Sequence, residues 1–115
     1  MTGPDFSNIT SQAQAAELAR DGQLEALLLL PAVFGGRDDI PENIVYVPVG
    51  LGEVKRGIDE NVIAPLARDG KVTRYAATPE YSGKSFIPIA ITITASEPGT
   101  FTTTIAIWGE ALTRG

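Results

Sequence analysis

The most regular side-chain pattern of the sequence lies between Phe86 and Trp108, in the stretch FIPIAITITASEPGTFTTTIAIW. β-branched residues dominate both of its arms, and the first arm has an isoleucine at every second position: Ile87, Ile89, Ile91 and Ile93. A period of two places these four side chains on one face of a strand. Between the arms, Pro98 presets φ and Gly99 accepts a positive φ, which favours a tight reversal. The stretch therefore predicts a β-hairpin whose isoleucine face lies in the core.

The second arm keeps this alternation after the turn. One face carries an aromatic residue, a threonine and two isoleucines: Phe101, Thr103, Ile105 and Ile107. The opposite face carries Thr102, Thr104, Ala106 and Trp108. Threonine suits a half-buried pleated surface, so we expect this second face, including Trp108, to be partly exposed.

The size and charge of the chain limit its architecture and its partners. With 115 residues, 43% of them hydrophobic, it has room for one domain with one core. Fourteen acidic and nine basic residues give a net charge of −5, which disfavours nucleic acid and favours a basic partner. No apolar run is long enough to span a bilayer, and the N-terminus lacks the features of a secretory signal. We therefore expect a cytoplasmic protein without membrane contact.

The chain contains neither histidine nor cysteine. Most nucleophile and base pairs, and most transition-metal sites, use at least one of these residue types. No recognisable catalytic motif takes their place. The sequence therefore favours a protein without catalytic residues, metal or cofactor.

The beginning of the chain shows little periodicity. Residues 1–10 are expected to form a flexible lead-in to a single domain over residues 11–115. Ser11 is the predicted N-cap of a first helix over residues 12–20, with Gln14 at the capping-box spacing.

Three strands are predicted before the hairpin, over residues 24–30, 43–47 and 72–78. The first is a run of leucines between Gly22 and Pro31, which fits a buried strand, although leucine also allows a helical continuation.

A second helix is predicted after Gly50. Its apolar residues recur at steps of three and four: Leu51, Val54, Ile58, Val62 and Leu66. This spacing gives a core-facing stripe. The charged residues between them are expected to face solvent: Glu53, Lys55, Arg56, Asp59 and Glu60. Pro65 lacks an N–H and must kink or shorten the helix, so irregular backbone is expected over residues 61–65.

The pentapeptide LARDG occurs twice, at residues 18–22 and 66–70, each time just before a predicted strand. A duplicated helix–strand unit would explain the repeat. Independent use of a common helix exit, a basic last turn followed by glycine, more often produces a match of five residues and is the favoured explanation. In either case the order of elements is helix, strand, strand, helix, strand, strand, strand. This order predicts an α+β fold, with a mostly antiparallel sheet of about five strands and two helices packed on one face.

Two irregular loops are predicted, over residues 32–42 and 79–85, and they hold the candidate partner-binding residues, because loops on a rigid scaffold concentrate binding groups. The first loop contributes Arg37, Asp38, Asp39 and Glu42, and the second contributes Glu80, Tyr81 and Lys84. Tyr81 is either an anchor for a partner or an aromatic lid over the hairpin core. The three carboxylates of the first loop are also candidate Mg²⁺ or Ca²⁺ ligands, but their spacing matches no EF-hand, which favours a solvated acidic loop.

Three phrases of the sequence resemble small acidic bacterial immunity proteins, which are encoded beside polymorphic toxins: FGG at 34–36, ENIVYVP at 42–48 and PEYSGKSFIP at 79–88. The resemblance implies a cytoplasmic, non-catalytic protein that binds and neutralises a cognate toxin domain, with a basic toxin surface as the expected target. Two alternatives are a small carboxylate-dependent enzyme and a homo-oligomeric structural or interaction module joined through a sheet edge.

Overall fold

The computed structural model describes residues 5–113, and the α+β class is confirmed. The helices are α1 (Gln12–Arg20), α2 (Leu51–Ile58) and α3 (Ala64–Arg68). The strands are β1 (Leu24–Leu28), β2 (Ile44–Pro48), β3 (Val72–Glu80), β4 (Ala90–Pro98) and β5 (Thr100–Ala106). Short 3-10 turns lie at Ala32–Phe34, Pro41–Asn43 and Gly109–Thr113.

The strands form two antiparallel sheets instead of the predicted single sheet of five. β1 pairs with β2, and β3, β4 and β5 pair in that order. Helices α1 and α2 contact the two-stranded sheet, whereas α3 contacts β3. Alternating side chains show which face of a strand is buried but not which distant strand shares its edge. This is why the sequence overestimated the sheet.

The predicted hairpin is confirmed as β4 and β5, but its turn works differently from the prediction. Ser96 pairs with Thr100, which leaves a loop of three residues, Glu97-Pro98-Gly99. The positive φ, 67°, belongs to Glu97, and the Glu97–Pro98 peptide bond is cis. Gly99 serves a close approach instead: its N–H donates to the Lys71 carbonyl at 2.8 Å, and a Cβ would lie 2.9 Å from that oxygen.

The isoleucine face lies in the core as predicted, since Ile87, Ile89, Ile91 and Ile93 are all buried. Trp108 was expected to be partly exposed, and this is wrong: only 5% of its surface is accessible. The chain leaves the sheet after Ala106, and the Trp108 indole N–H donates to the Ile87 carbonyl at 3.0 Å.

The end of the predicted lead-in, residues 1–10, packs against this core. The ring of Phe6 meets Trp108 edge-on with a centroid distance of 5.9 Å. Ser85 Oγ donates to the Phe6 carbonyl at 2.8 Å, and the Phe86 N–H donates to the Ile9 carbonyl at 2.6 Å. Residues 1–4 lie outside the described part of the chain.

The irregular backbone expected before Pro65 is present as a π-helical turn over Asp59–Ile63, closed by the Ala64 N–H donating to the Asp59 carbonyl.

The apolar stripe predicted for the second helix is partly wrong. Val54 and Val62 are 50% and 39% exposed, whereas Leu51, Ile58 and Leu66 pack against the core. The residues that α2 and the π turn bury are instead Lys55, Asp59 and Ile63. Lys55 and Asp59 lie four residues apart and therefore share one face of the helix, and this face points inward.

Both copies of LARDG end a helix in the same way. Gly22 and Gly70 have positive φ, of 82° and 72°. The N–H of each glycine donates to the alanine carbonyl three residues earlier, and the N–H of the next residue donates to the leucine carbonyl five residues earlier. This is the Schellman motif, and it requires glycine at the left-handed position. Local helix-exit chemistry is therefore sufficient to explain the repeat.

Candidate functional site

The first irregular loop is fixed in place by the side chain of Asn43. Its Oδ1 accepts from the Leu30 N–H at 2.7 Å, and its Nδ2 donates to the Leu30 carbonyl at 3.0 Å. The same Nδ2 also lies 3.1 Å from the Arg37 carbonyl. The amide thus pairs with Leu30 much as a neighbouring strand would. Gly36 completes the closure, because a Cβ there would lie 1.7 Å from the Leu30 carbonyl oxygen.

This closure places the first loop beside a depression of about 210 Å³, here called the aromatic depression. It is lined by residues from α1, the first loop, β2 and the segment before β4: Gln12, Asp38, Asp39, Pro41, Ile44, Tyr46 and Phe86. Tyr46 and Phe86 are half-buried and pack against the core, which holds both rings in place.

The two carboxylates that line the aromatic depression have different surroundings. Both oxygens of Asp39 accept from the Arg37 guanidinium, at 2.9 and 2.6 Å, in an exposed ion pair. Asp38 is exposed and has no hydrogen bond or ion pair to any of residues 5–113. Carboxylates beside aromatic rings are the surroundings that lysine and arginine side chains favour. The aromatic depression is therefore chemically suited to a basic side chain.

The structure brings only part of the predicted partner-binding set to this place. Asp38 and Asp39 line the aromatic depression, and Arg37 reaches it through Asp39. Glu42 is exposed in the neighbouring 3-10 turn but does not line the depression.

Phe86, which directly follows the second loop, lines this depression, but the residues that the sequence singled out do not. Glu80, Tyr81 and Lys84 are exposed, and none of the three lines the depression. The prediction that Glu80 lies in a loop is wrong, because Glu80 is the last residue of β3. Tyr81 is 47% exposed, and partial burial raises the pKa of its hydroxyl.

Sequence reasoning missed Tyr46 and Phe86. The alternation in β2 contained a signal for one of them, because Val45 and Val47 take the core face and leave Ile44 and Tyr46 on the other. Phe86 carried no such signal, since it precedes β4 and its position depends on the docking of Ile9.

A buried polar cluster lies beneath α2, and the sequence analysis did not predict it. Lys55 and Asp59 are each 2% exposed, and the Lys55 ammonium donates to Asp59 Oδ2 at 2.6 Å and to the Tyr75 hydroxyl at 2.8 Å. The Tyr75 hydroxyl in turn donates to Asp59 Oδ1 at 2.7 Å. The three groups form a closed ring of hydrogen bonds that joins α2 and the π turn to β3.

Burial and charge shift the ionisation of this cluster. Burial lowers the pKa of the Lys55 amine, and the hydrogen bond and negative charge of Asp59 partly offset that effect. Burial raises the pKa of the Tyr75 hydroxyl strongly, and its contacts with Asp59 add to the shift. At neutral pH the tyrosine therefore stays protonated and donates its hydrogen bond to Asp59.

The cluster borders a cleft of about 300 Å³ between β1 and α2, whose lining includes Glu25, Lys55 and Asp59. Glu25 Oε2 accepts from the N–H groups of Gly50 and Gly52, at 2.8 and 3.1 Å. A carboxylate from β1 thus caps the N-terminus of α2, where the helix dipole favours negative charge. Glu25, Lys55 and Asp59 are therefore engaged in contacts that hold α2 against the strands.

Within residues 5–113, no three carboxylate side chains lie close enough together to hold a metal ion. No helix in that range is long and apolar enough to cross a membrane. No family model, curated protein or solved structure matches this chain.

Proposed function

We propose that this protein is a non-catalytic binding protein that neutralises a bacterial toxin domain, as an immunity protein does, by accepting a basic side chain of the toxin in the aromatic depression. The observation that carries the proposal is the position of Asp38 and Asp39 beside Tyr46 and Phe86. A lysine or arginine that enters would pair with the free carboxylate of Asp38 beside two aromatic residues, whereas Asp39 is already paired with Arg37.

The remaining features of the surface support a protein partner. Ile40 is 41% exposed in the same loop, so an apolar contact is available beside the acidic one. The net charge of −5 attracts a basic domain over longer distances.

The alternative of a small carboxylate-dependent enzyme finds less support in the geometry. The buried cluster is the strongest candidate for chemistry, but its lysine, aspartate and tyrosine are hydrogen-bonded to one another. A structural role for the cluster follows directly from these contacts, whereas a substrate would have to displace them.

The test is to measure binding to the toxin domain encoded next to this gene by surface plasmon resonance. Asp38→Lys/Asp39→Lys is expected to slow association, since surface charges act mainly through steering. Phe86→Ala is expected to speed dissociation, because it removes an aromatic contact from the interface.

The matched control is Glu60→Lys/Asp69→Lys, which makes the same change in net charge at exposed acids outside the aromatic depression. This control is expected to keep more of the association rate than the Asp38/Asp39 variant. Equal slowing by both double variants, together with unchanged dissociation for Phe86→Ala, would remove the depression from the interface. Absence of binding by the wild-type protein would reject that toxin as the partner.

A further inference from the structure

The strand β5 forms one edge of the three-stranded sheet. Within residues 5–113 it pairs only with β4, and the pairing runs without a bulge from Ala90 opposite Ala106 to Ser96 opposite Thr100. Its other side therefore presents a row of backbone N–H and C=O groups over seven residues.

The two edges of this sheet differ in how they discourage pairing. The β3 edge carries Arg74 and contains Pro79, which has no N–H. Charge and proline are devices that protect an edge from other strands. The sequence of β5, TFTTTIA, has no charged residue, no proline and no glycine. Only the β5 edge is thus left as an uncharged, regular pairing surface.

We propose that β5 pairs antiparallel with β5 of a second copy of this chain, about a two-fold axis at Thr103, so that two three-stranded sheets become one of six strands. This proposal does not depend on the proposed function. The two-fold register places Thr102 opposite Thr104 of the second copy, and Phe101 opposite Ile105 of the second copy. Thr100 then lies opposite Ala106 of the second copy.

The central pairs of this register are favourable. Threonine pairs and pairs of an aromatic with a β-branched residue are among the cross-strand contacts that stabilise antiparallel sheets. Ile105 is buried and Phe101 is half-buried against the core, so their pairing would continue the apolar layer across the junction. β5 contains no charged side chain, so no like charges face each other at the junction. Repulsion between the two copies, which have the same net charge, is therefore weaker at this edge than at an edge that carries charged residues.

The outer face of the sheet also continues across the junction. Thr78, Thr92 and Thr104 form one row, and the Oγ1 atoms of Thr92 and Thr104 lie 3.1 Å apart. The side chains of this face are mostly small and uncharged, so they leave room for two sheets to align edge to edge.

The test uses sedimentation equilibrium over a range of protein concentrations. The wild-type protein is expected to be a dimer in reversible equilibrium with monomer. Thr102→Lys/Thr104→Lys places a lysine opposite a lysine twice at the junction, and should weaken dimerisation at least about tenfold. Thr102→Lys/Thr104→Glu instead places lysine opposite glutamate twice and should retain the dimer.

Thr102 and Thr104 are both exposed, so both variants should fold, which circular dichroism and thermal unfolding would verify. A wild-type protein that stays monomeric at every concentration would overturn the proposal. A dimer that survives in the double-lysine variant would place the interface elsewhere and overturn it as well. Loss of the dimer in both variants would reject the Thr103 register.

Discussion

At the scale of single residues, the buried cluster shows how charge is accommodated in a small core. Lys55 and Asp59 lie four residues apart, and the sequence predicted that both side chains face solvent. Their burial is tolerated because Tyr75 supplies the third member of the hydrogen-bond ring, and no buried side-chain polar atom in residues 5–113 lacks a partner.

The cluster gives a prediction about stability. Lys55→Met should lower the free energy of unfolding by roughly 3–5 kcal/mol, because it leaves the Asp59 carboxylate buried without its counter-charge. The triple variant Lys55→Met/Asp59→Leu/Tyr75→Phe should recover most of that loss, since a well-packed apolar cluster needs no counter-charge. Urea unfolding followed by circular dichroism measures both.

A single variant that loses under about 1 kcal/mol would show that Asp59 is not buried as described. A triple variant that is no more stable than the single variant would show that packing around the cluster cannot accept apolar groups.

At the scale of elements, the N-terminus of α2 depends on a strand. Glu25 caps it from β1, and a Cβ on Gly52 would lie 3.1 Å from atoms of that carboxylate. Gly57, on the same helix, has open space at the corresponding position. The two glycines of α2 thus have different reasons to be glycine.

Alanine substitutions at the two sites should therefore differ. Gly57→Ala should stabilise the protein by about 0.5–1 kcal/mol, because alanine is the better helix former. Gly52→Ala should fail to give this gain, because its methyl group crowds the Glu25 carboxylate. Thermal unfolding of both variants at one pH measures the difference. An equal gain in stability from both substitutions would mean that the Glu25 side chain can move away from residue 52 without destabilising the protein.

At the scale of the whole molecule, one core joins both sheets and the helices. It contains Leu24 and Val47 from the two-stranded sheet, Ile63 from the π turn, and the isoleucines around β4. Ile91 is 1% exposed within it, whereas Val54 is 50% exposed.

This contrast gives a third prediction. Ile91→Ala should lower the free energy of unfolding by roughly 2–5 kcal/mol, through lost apolar burial and a residual cavity. Val54→Ala should change it by no more than about 0.5 kcal/mol, as is usual for exposed sites. Chemical denaturation of the two variants measures both changes. The Val54→Ala result shows whether Val54 is buried, as the apolar stripe predicted for the second helix requires, or exposed, as in the structure. A loss of more than about 2 kcal/mol for Val54→Ala would favour the former.

Elements whose causes are local could be predicted from the sequence. The alternation of isoleucines specified the hairpin, Ser11 and Gln14 specified the start of α1, and the two LARDG segments specified identical helix exits. Pro65 indicated where the second helix would become irregular. In each case the deciding contact lies within a few residues, so the pattern carries the information.

The remaining features could not be predicted in this way, because they depend on contacts between residues far apart in the chain. The division into two sheets depends on which strand edges meet, and the burial of Lys55 and Asp59 depends on Tyr75 from a different element. The aromatic depression likewise needs Asn43 to close the first loop and Ile9 to dock Phe86. Periodicity describes one segment at a time, and these features arise where separate segments meet.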